Sequence, residues 1–210
     1  MKAIIFDLDG TLYDNSKLPF QLIMRSLGKL RILKSERTSR KILAGVHFNS
    51  PEEFYKKHFD TMSHICGRSP EKVEKWYHEC YMPLMIRVLS KRHNCKSNVA
   101  ETLNELRKNG IKTAVLSDYE CVKERLAAVN LDPDMFDICI DAPTTGGLKP
   151  DKSSFLHIAN AFGFEPDEIL VVGDRPDTDG KGAANAGMQM LLVNKKDSRL
   201  NLGKHIEQNI

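Results

Sequence analysis

Lys2-Ala3-Ile4-Ile5-Phe6-Asp7-Leu8-Asp9-Gly10-Thr11 decides how the rest of the chain is read. It opens as an unbroken apolar run and then meets two carboxylates and a glycine. Strands buried on both faces read this way, because a parallel sheet covered by helices has no wet face to impose alternation. The run is far too short for a secretory or membrane segment, and nothing later reaches a spanning length, so a cytoplasmic protein is expected.

Four further runs of the same kind lie downstream: Lys112–Ser117, Phe136–Asp141, Ile169–Gly173 and Met188–Val193. Helical patterns separate them. Val99–Lys108 places Leu103 and Leu106 on one face and stops before Gly110, a C-terminal cap. Val122–Val129 and Ser153–Phe162 look similar. This β-then-α rhythm predicts a Rossmann-like, doubly wound α/β core of parallel strands.

Residues 15–97 interrupt that rhythm with no convincing strand. Pro19 suits the first turn of a helix. Ser50-Pro51-Glu52-Glu53 is a capping-box pattern, and Ser69-Pro70-Glu71 opens another helix running through Val73, Trp76, Tyr77 and Cys80. The expected organisation is an α/β core of residues 1–14 and 98–210, with an all-helical domain of residues 15–97 inserted after the first strand.

Composition agrees with a soluble globular protein: 41% hydrophobic and 28% charged residues allow a core without staples. The five cysteines are odd in number and never form a C-x-x-C pair. That argues against a disulfide framework or a zinc site and suits a reducing compartment. Residues 16–97 carry 17 Lys/Arg against 7 Asp/Glu, whereas the remainder carries 14 against 21. A solvated helical surface accounts for the basic excess. So does a basic lobe that faces an acidic, metal-binding one and draws in anions. The excess is spread over helices without interleaved aromatics, which argues against nucleic acid as a partner.

In doubly wound sheets, ligands bind beyond the carboxyl ends of the strands. Here those ends carry Asp7 and Asp9, Ser117-Asp118, Asp141, and Gly173-Asp174, with Asp177 and Asp179 close behind. Each aspartate alone would be read as a turn or cap residue. Together they repel one another unless a cation neutralises them, and a set of hard oxygens suits magnesium.

Phe6-Asp7-Leu8-Asp9-Gly10-Thr11-Leu12 closely resembles the first motif, D-x-D-G-T, of the haloacid dehalogenase superfamily. Ser117, Lys149 in Gly147-Leu148-Lys149-Pro150, and Gly173-Asp174-Arg175-Pro176-Asp177-Thr178-Asp179 resemble the second, third and fourth motifs, in order. The resemblance covers nearly all of residues 1–14 and 98–194. It implies a magnesium-dependent phosphatase, similar in plan to phosphoglycolate phosphatase and β-phosphoglucomutase. Asp7 would be the nucleophile that forms an aspartyl-phosphate, and Asp9 the general acid and then base. Two residues apart on an extended strand, both would face one way. Mg2+ would be held by Asp7, the Asp9 carbonyl, Asp174, and Asp179 or, as the lesser alternative, Asp177. Ser117 and the Asp118 amide would hold phosphoryl oxygens, and Lys149 would offset charge on Asp7 and phosphate. Asp9 favours phosphoryl chemistry, because the dehalogenases of the superfamily lack that second acid.

The helical insertion matches a cap of the C1 type, hinged near Asp14–Lys17 and Arg92–Asn98, that would close over a small phosphorylated substrate. Arg25, Arg37, Arg40, Lys41, His47 and Arg87 are its candidate anion contacts; Phe48, Tyr55, Trp76 and Tyr81 are candidate apolar walls. Gly146-Gly147 is either plain loop flexibility or room for a close backbone approach. Two alternatives to a phosphatase stand beside it: a phosphomutase of the β-phosphoglucomutase type, and a silent phosphate-binding or regulatory protein.

Overall fold

A computed structural model describes residues 1–202; the tail of the expected core segment, positions 203–210, lies outside the described residues. Five parallel strands form one sheet: β1 (Ala3–Asp7), β2 (Lys112–Ser117), β3 (Ile138–Asp141), β4 (Ile169–Gly173) and β5 (Gln189–Leu192), in the order β3-β2-β1-β4-β5. β1 is the central strand and is buried throughout. It pairs with β2 from Ala3–Lys112 to Asp7–Leu116, and with β4 from Ala3–Ile169 to Phe6–Val172.

Alternate residues of β1 feed opposite faces, as the two-residue strand period requires. Ala3 and Ile5 join Leu116, Phe155, Ile158 and Ala183 on one face. Ile4 and Phe6 join Leu103, Leu106, Leu126 and Val172 on the other. Helices α8 (Ser153–Phe162) and α9 (Lys181–Ala186) supply the first layer; α6 (Val99–Lys108) and α7 (Val122–Ala128) supply the second. Full burial of each such side chain is worth roughly 1.5–3 kcal/mol, which explains why five short runs suffice to build the sheet.

Between Asp14 and Asn94 the described chain is helical apart from short connections. It comprises α1 (Leu18–Met24), α2 (Leu30–Leu43), α3 (Pro51–Cys66), α4 (Pro70–Trp76), a π turn at Tyr77–Tyr81 and α5 (Met82–Arg92). Ser50 caps α3 by accepting the Glu53 N–H at 3.2 Å, but the Glu53 carboxylate reaches back to the Asn49 N–H at 2.9 Å. The expected reciprocal box is therefore shifted by one residue. No helix among the described residues is long and apolar enough to cross a membrane.

The chain leaves and re-enters the α/β layers side by side. Lys96 N–H donates to the Leu12 carbonyl at 2.8 Å, and Tyr13 bridges Cys95. A second tie sits on the far side. Gly45 N–H donates to the Leu148 carbonyl at 3.2 Å, and Phe48 N–H to the Gly146 carbonyl at 2.5 Å. Gly146-Gly147 thus serves close approach. Gly146 has φ +96°, and a Cβ there would stand 2.1 Å from the Phe48 carbonyl oxygen; at Gly147 it would stand 2.7 Å from that of Val46. Gly146→Ala is expected to cost roughly 1–3 kcal/mol through left-handed strain and the loss of this strap. Urea unfolding, with amide exchange at Phe48, measures it; unchanged stability and protection would contradict it.

Candidate active site

The strand order reverses between β1 and β4, and the carboxyl ends of those two strands carry Asp7 and Asp174. That crevice is where open α/β sheets bind ligands. A π turn at Pro176–Gly180 follows β4 and brings Asp179 inward. Carboxylate oxygens of Asp7, Asp174 and Asp179 lie within 4.8 Å of one another. Asp177 stays outside, ion-paired to Arg175 at 2.7 Å. Gly10 makes the crowding possible, since a Cβ at its φ of +101° would stand 2.4 Å from an Asp174 carboxylate oxygen.

Lys149 is the cluster's cation. Its Nζ donates to Asp7 Oδ1 and Asp179 Oδ1, each at 2.6 Å, and is almost wholly buried. Burial alone would discharge it, but Asp179, Asp7 and Asp118 outweigh that and keep it firmly protonated. One ammonium does not satisfy three carboxylates. Asp7 Oδ2 and Asp174 Oδ1 are buried with no hydrogen-bond partner. Burial, followed by the charge of Asp179, raises the Asp174 carboxyl. Burial raises Asp7 well above its ordinary range despite Lys149. Two unsatisfied buried carboxylate oxygens facing a shared space are what a small hard cation fits.

Asp9 lies beyond the strand, which ends at Asp7, so the two acids meet different partners. The expected extended strand thus stops short of Asp9, although the charge of Asp9 still acts on Asp7. Asp9 accepts from Tyr13 OH, from Arg125 Nη2, and from Ser117 Oγ at 3.2 Å. Arg125 is fully buried and also donates to Ser117 Oγ at 2.9 Å and to the Tyr119 carbonyl at 3.1 Å. Burial alone would raise the Asp9 carboxyl, but the charge and hydrogen bond of Arg125, with that of Tyr13, hold it below its ordinary range.

Sequence reasoning passed over Arg125. Its signal was an arginine inside an apolar helical stripe, between Val122 and Leu126 on the buried face of α7.

Ser117 is therefore engaged with Asp9 and Arg125. The Asp118 carboxylate accepts the Lys149 backbone N–H at 2.9 Å. Asp141, expected among the converging acids, instead caps the turn after β3 through the Thr144 N–H at 3.2 Å.

Helices α1, α2 and α5 roof a cavity of about 290 Å³ whose floor includes Asp9, Asp118 and Lys149. Of the candidate insertion contacts, Arg37, Arg40, Lys41 and Tyr81 line it. Arg40 crosses the interface: its Nη1 donates to the Asp118 carbonyl at 2.6 Å, Nη2 to Tyr77 OH at 2.8 Å, and Nε to Glu36 at 2.5 Å. His47 pairs with Asp151, and Arg25 bonds the Gln21 carbonyl. Phe48 packs with Phe54, and Trp76 stacks on Tyr81.

Known proteins resemble this chain over most of its length. The chain is 27% identical to glyceraldehyde 3-phosphate phosphatase of Methanopyrus kandleri, covering 93% of this chain and 84% of that protein. It is also 27% identical to phosphoglycolate phosphatase of Aquifex aeolicus, covering 92% and 84%. In fold, it matches the magnesium-bound YfnB of Bacillus subtilis with a TM-score of 0.68 at 17% identity, over 100% of this chain and 99% of that one. The model of the haloacid dehalogenase-like hydrolases matches residues 1–187, and with the five-stranded sheet and its carboxylate crevice this places the chain in that family of hydrolases.

Proposed function

We propose that the protein is a magnesium-dependent phosphatase that hydrolyses a small phosphomonoester through an aspartyl-phosphate on Asp7. One observation carries this reading: Asp7 presents one oxygen to Lys149 and leaves the other, buried Oδ2, without a partner. A carboxylate so held is oriented by Lys149 and keeps lone pairs that no protein group occupies, as a metal ligand and nucleophile needs.

Asp7, Asp174 and Asp179 would hold the Mg2+, with the Asp9 carbonyl as a further donor. When bound, the ion offsets repulsion between the attacking carboxylate and the phosphate and polarises the phosphoryl group. In the first step an Asp7 carboxylate oxygen forms a bond to phosphorus as the ester P–O bond breaks, and Asp9 gives its proton to the departing oxygen. In the second, Asp9 takes a proton from water as that oxygen bonds phosphorus, and the Asp7–phosphorus bond breaks. Arg125 holds Asp9 ionised, the form the second step needs. The dianionic phosphate, arriving beside Asp9, favours its protonation for the first. Lys149 remains charged throughout and meets the developing negative charge. The roof over the site leaves a cavity of about 290 Å³, a size that suits a compact substrate.

Phosphate release from a panel of small esters, with and without chelation of Mg2+, tests this. We expect turnover of at least one three-carbon or smaller ester and its loss on chelation, restored by Mg2+. No release from any ester in the presence of Mg2+, or release indifferent to chelation, would sink the proposal.

A further inference from the structure

The cavity's charges do not cancel. Five cations reach its wall: Arg37, Arg40, Lys41, Lys149 and Arg175. Three are spoken for. Arg40 pairs with Glu36, Lys149 with Asp7 and Asp179, and Arg175 with Asp177. Two acids lie on the floor: Asp9 already has Arg125, and the Asp118 carboxylate accepts the Lys149 backbone N–H. Among the described residues, Arg37 and Lys41 have neither an ion-pair nor a hydrogen-bond partner. They stand four residues apart on α2, hence on one face, with Arg40 and Ala44 completing the stripe that looks into the cavity. Arg37 is half-buried there. A half-buried guanidinium without a counter-charge forgoes hydration for nothing within the protein. Leu18, Leu22 and Met85 make part of the lining apolar, and among the described residues neither Asp9 nor Asp118 forms an ion pair with Arg37 or Lys41.

The phosphate itself has its own cation, Lys149, on the floor. We infer that Arg37 and Lys41 form a second anion subsite in the roof, and that the substrate is a compact phosphomonoester carrying a second anionic group, a carboxylate or a second phosphoryl group. This deepens the proposed phosphatase reading and rests on it for the word substrate. It separates this chain from a specificity for glyceraldehyde 3-phosphate, whose far end is a neutral aldehyde. Arg37 supplies the planar fork for a carboxylate or phosphoryl edge, and Lys41 a point charge nearer solvent.

Calorimetric binding of phosphonates tests the subsite without turnover, and ester hydrolysis tests it with turnover. In the presence of Mg2+, phosphonoacetate and methylenediphosphonate supply the two kinds of second anion, and ethylphosphonate supplies neither. The wild type is expected to bind one of the doubly anionic ligands roughly 10–100-fold tighter than ethylphosphonate, the effect of a charge-assisted contact made or missing. Which of the two gains identifies the source of the second charge. In the double variant Arg37→Met, Lys41→Met the preference should fall to within about threefold, with ethylphosphonate binding unchanged. Lys34→Met, on the same helix but away from the cavity, should keep the full preference.

Hydrolysis should follow the same order: 2-phosphoglycolate preferred over 2-hydroxyethyl phosphate in wild type, and not in the double variant. Equal binding of the three phosphonates, binding of none, a preference that survives the double substitution, or an equal loss in Lys34→Met would each overturn the subsite. Selective binding with no hydrolysis of any ester would instead overturn the phosphatase reading and leave the subsite standing.

Discussion

Asp7→Asn is expected to lower phosphate release by a factor on the order of 10⁴ or more, the scale at which loss of a nucleophile is felt, while leaving the fold no less stable. The two halves of that expectation have separate causes. Activity fails because an amide oxygen does not form the acyl-phosphate from which water regenerates the enzyme. Stability survives because ionised Asp7 opposes folding.

Burial, reinforced by the charges of Asp179 and Asp9, holds the Asp7 carboxyl well above its ordinary range against the pull of Lys149. A carboxyl whose folded pKa is raised binds its proton more tightly when folded. The penalty for ionising it is absent at acid pH, grows as pH rises from the unfolded value towards the folded one, and is complete above that. Asparagine carries no such penalty, and Lys149 keeps Asp179 as a partner at 2.6 Å.

Without Mg2+ at neutral pH, the melting temperature of Asp7→Asn should therefore equal or exceed that of the wild type. Added Mg2+ should raise the wild type more than the variant, since the ion loses one of its carboxylates. Turnover within about tenfold of wild type would remove Asp7 from the nucleophile's role. A large drop in melting temperature would show that the carboxylate supports the fold.

The elements that position this chemistry were legible wherever a strong local pattern stood between clear breakers. Lys112–Ser117 and Ile169–Gly173 are strands over their full expected lengths, and Val99–Lys108 is a helix over its full length, with Gly110 in the left-handed conformation just beyond it. The first run is shorter than expected because Leu8 leaves the ladder for the turn that carries Asp9. What local pattern does not contain is the partner across the fold. Asp177 and Asp179 are the same residue type two positions apart; only the π turn decides that Asp179 accepts the Arg175 N–H at 3.1 Å and meets Lys149 while Asp177 faces solvent. Asp141 ends a strand just as Asp7 does, yet β3 is the edge strand, remote from the reversal in strand order, and its acid caps a turn. Gly146-Gly147 could be interpreted only once Phe48 and Val46 were seen against them. Arg37 and Lys41 were two cations among many in a basic segment until the partners of their neighbours were known.

Arg125→Met is expected to be the most damaging substitution of a residue that the family motifs do not mention. The guanidinium is fully buried, 116 positions from Asp9 along the chain, and reaches Asp9, Ser117 and the Tyr119 carbonyl together. Removing it strands a carboxylate inside the protein, a loss of about 3–5 kcal/mol for a buried pair. The Asp9 side chain retains 19% of its exposure, towards the cavity, so water screens part of that loss and the lower end of the range is expected.

The sign of the pH dependence follows from the depressed Asp9 carboxyl. A depressed carboxyl contributes stability that is fully present above its unfolded value and is lost as pH falls through the folded one. The gap between wild type and Arg125→Met should therefore be widest near neutrality and narrower at about pH 3, where Asp9 of the variant, no longer held down by Arg125, takes up its proton. Arg125→Lys keeps the charge but not the fork, so it should recover much of the stability while leaving Asp9 less firmly placed. Its turnover is expected to remain well below wild type, by about 10²-fold, the smaller end of what a positioned acid–base group contributes, with Mg2+ affinity intact. Urea unfolding at the two pH values, with turnover of the lysine variant, measures all of this. A stability gap that does not change with pH, or full activity in Arg125→Lys, would mean that Arg125 merely fills space and that Asp9 is positioned by Tyr13 and Ser117 alone.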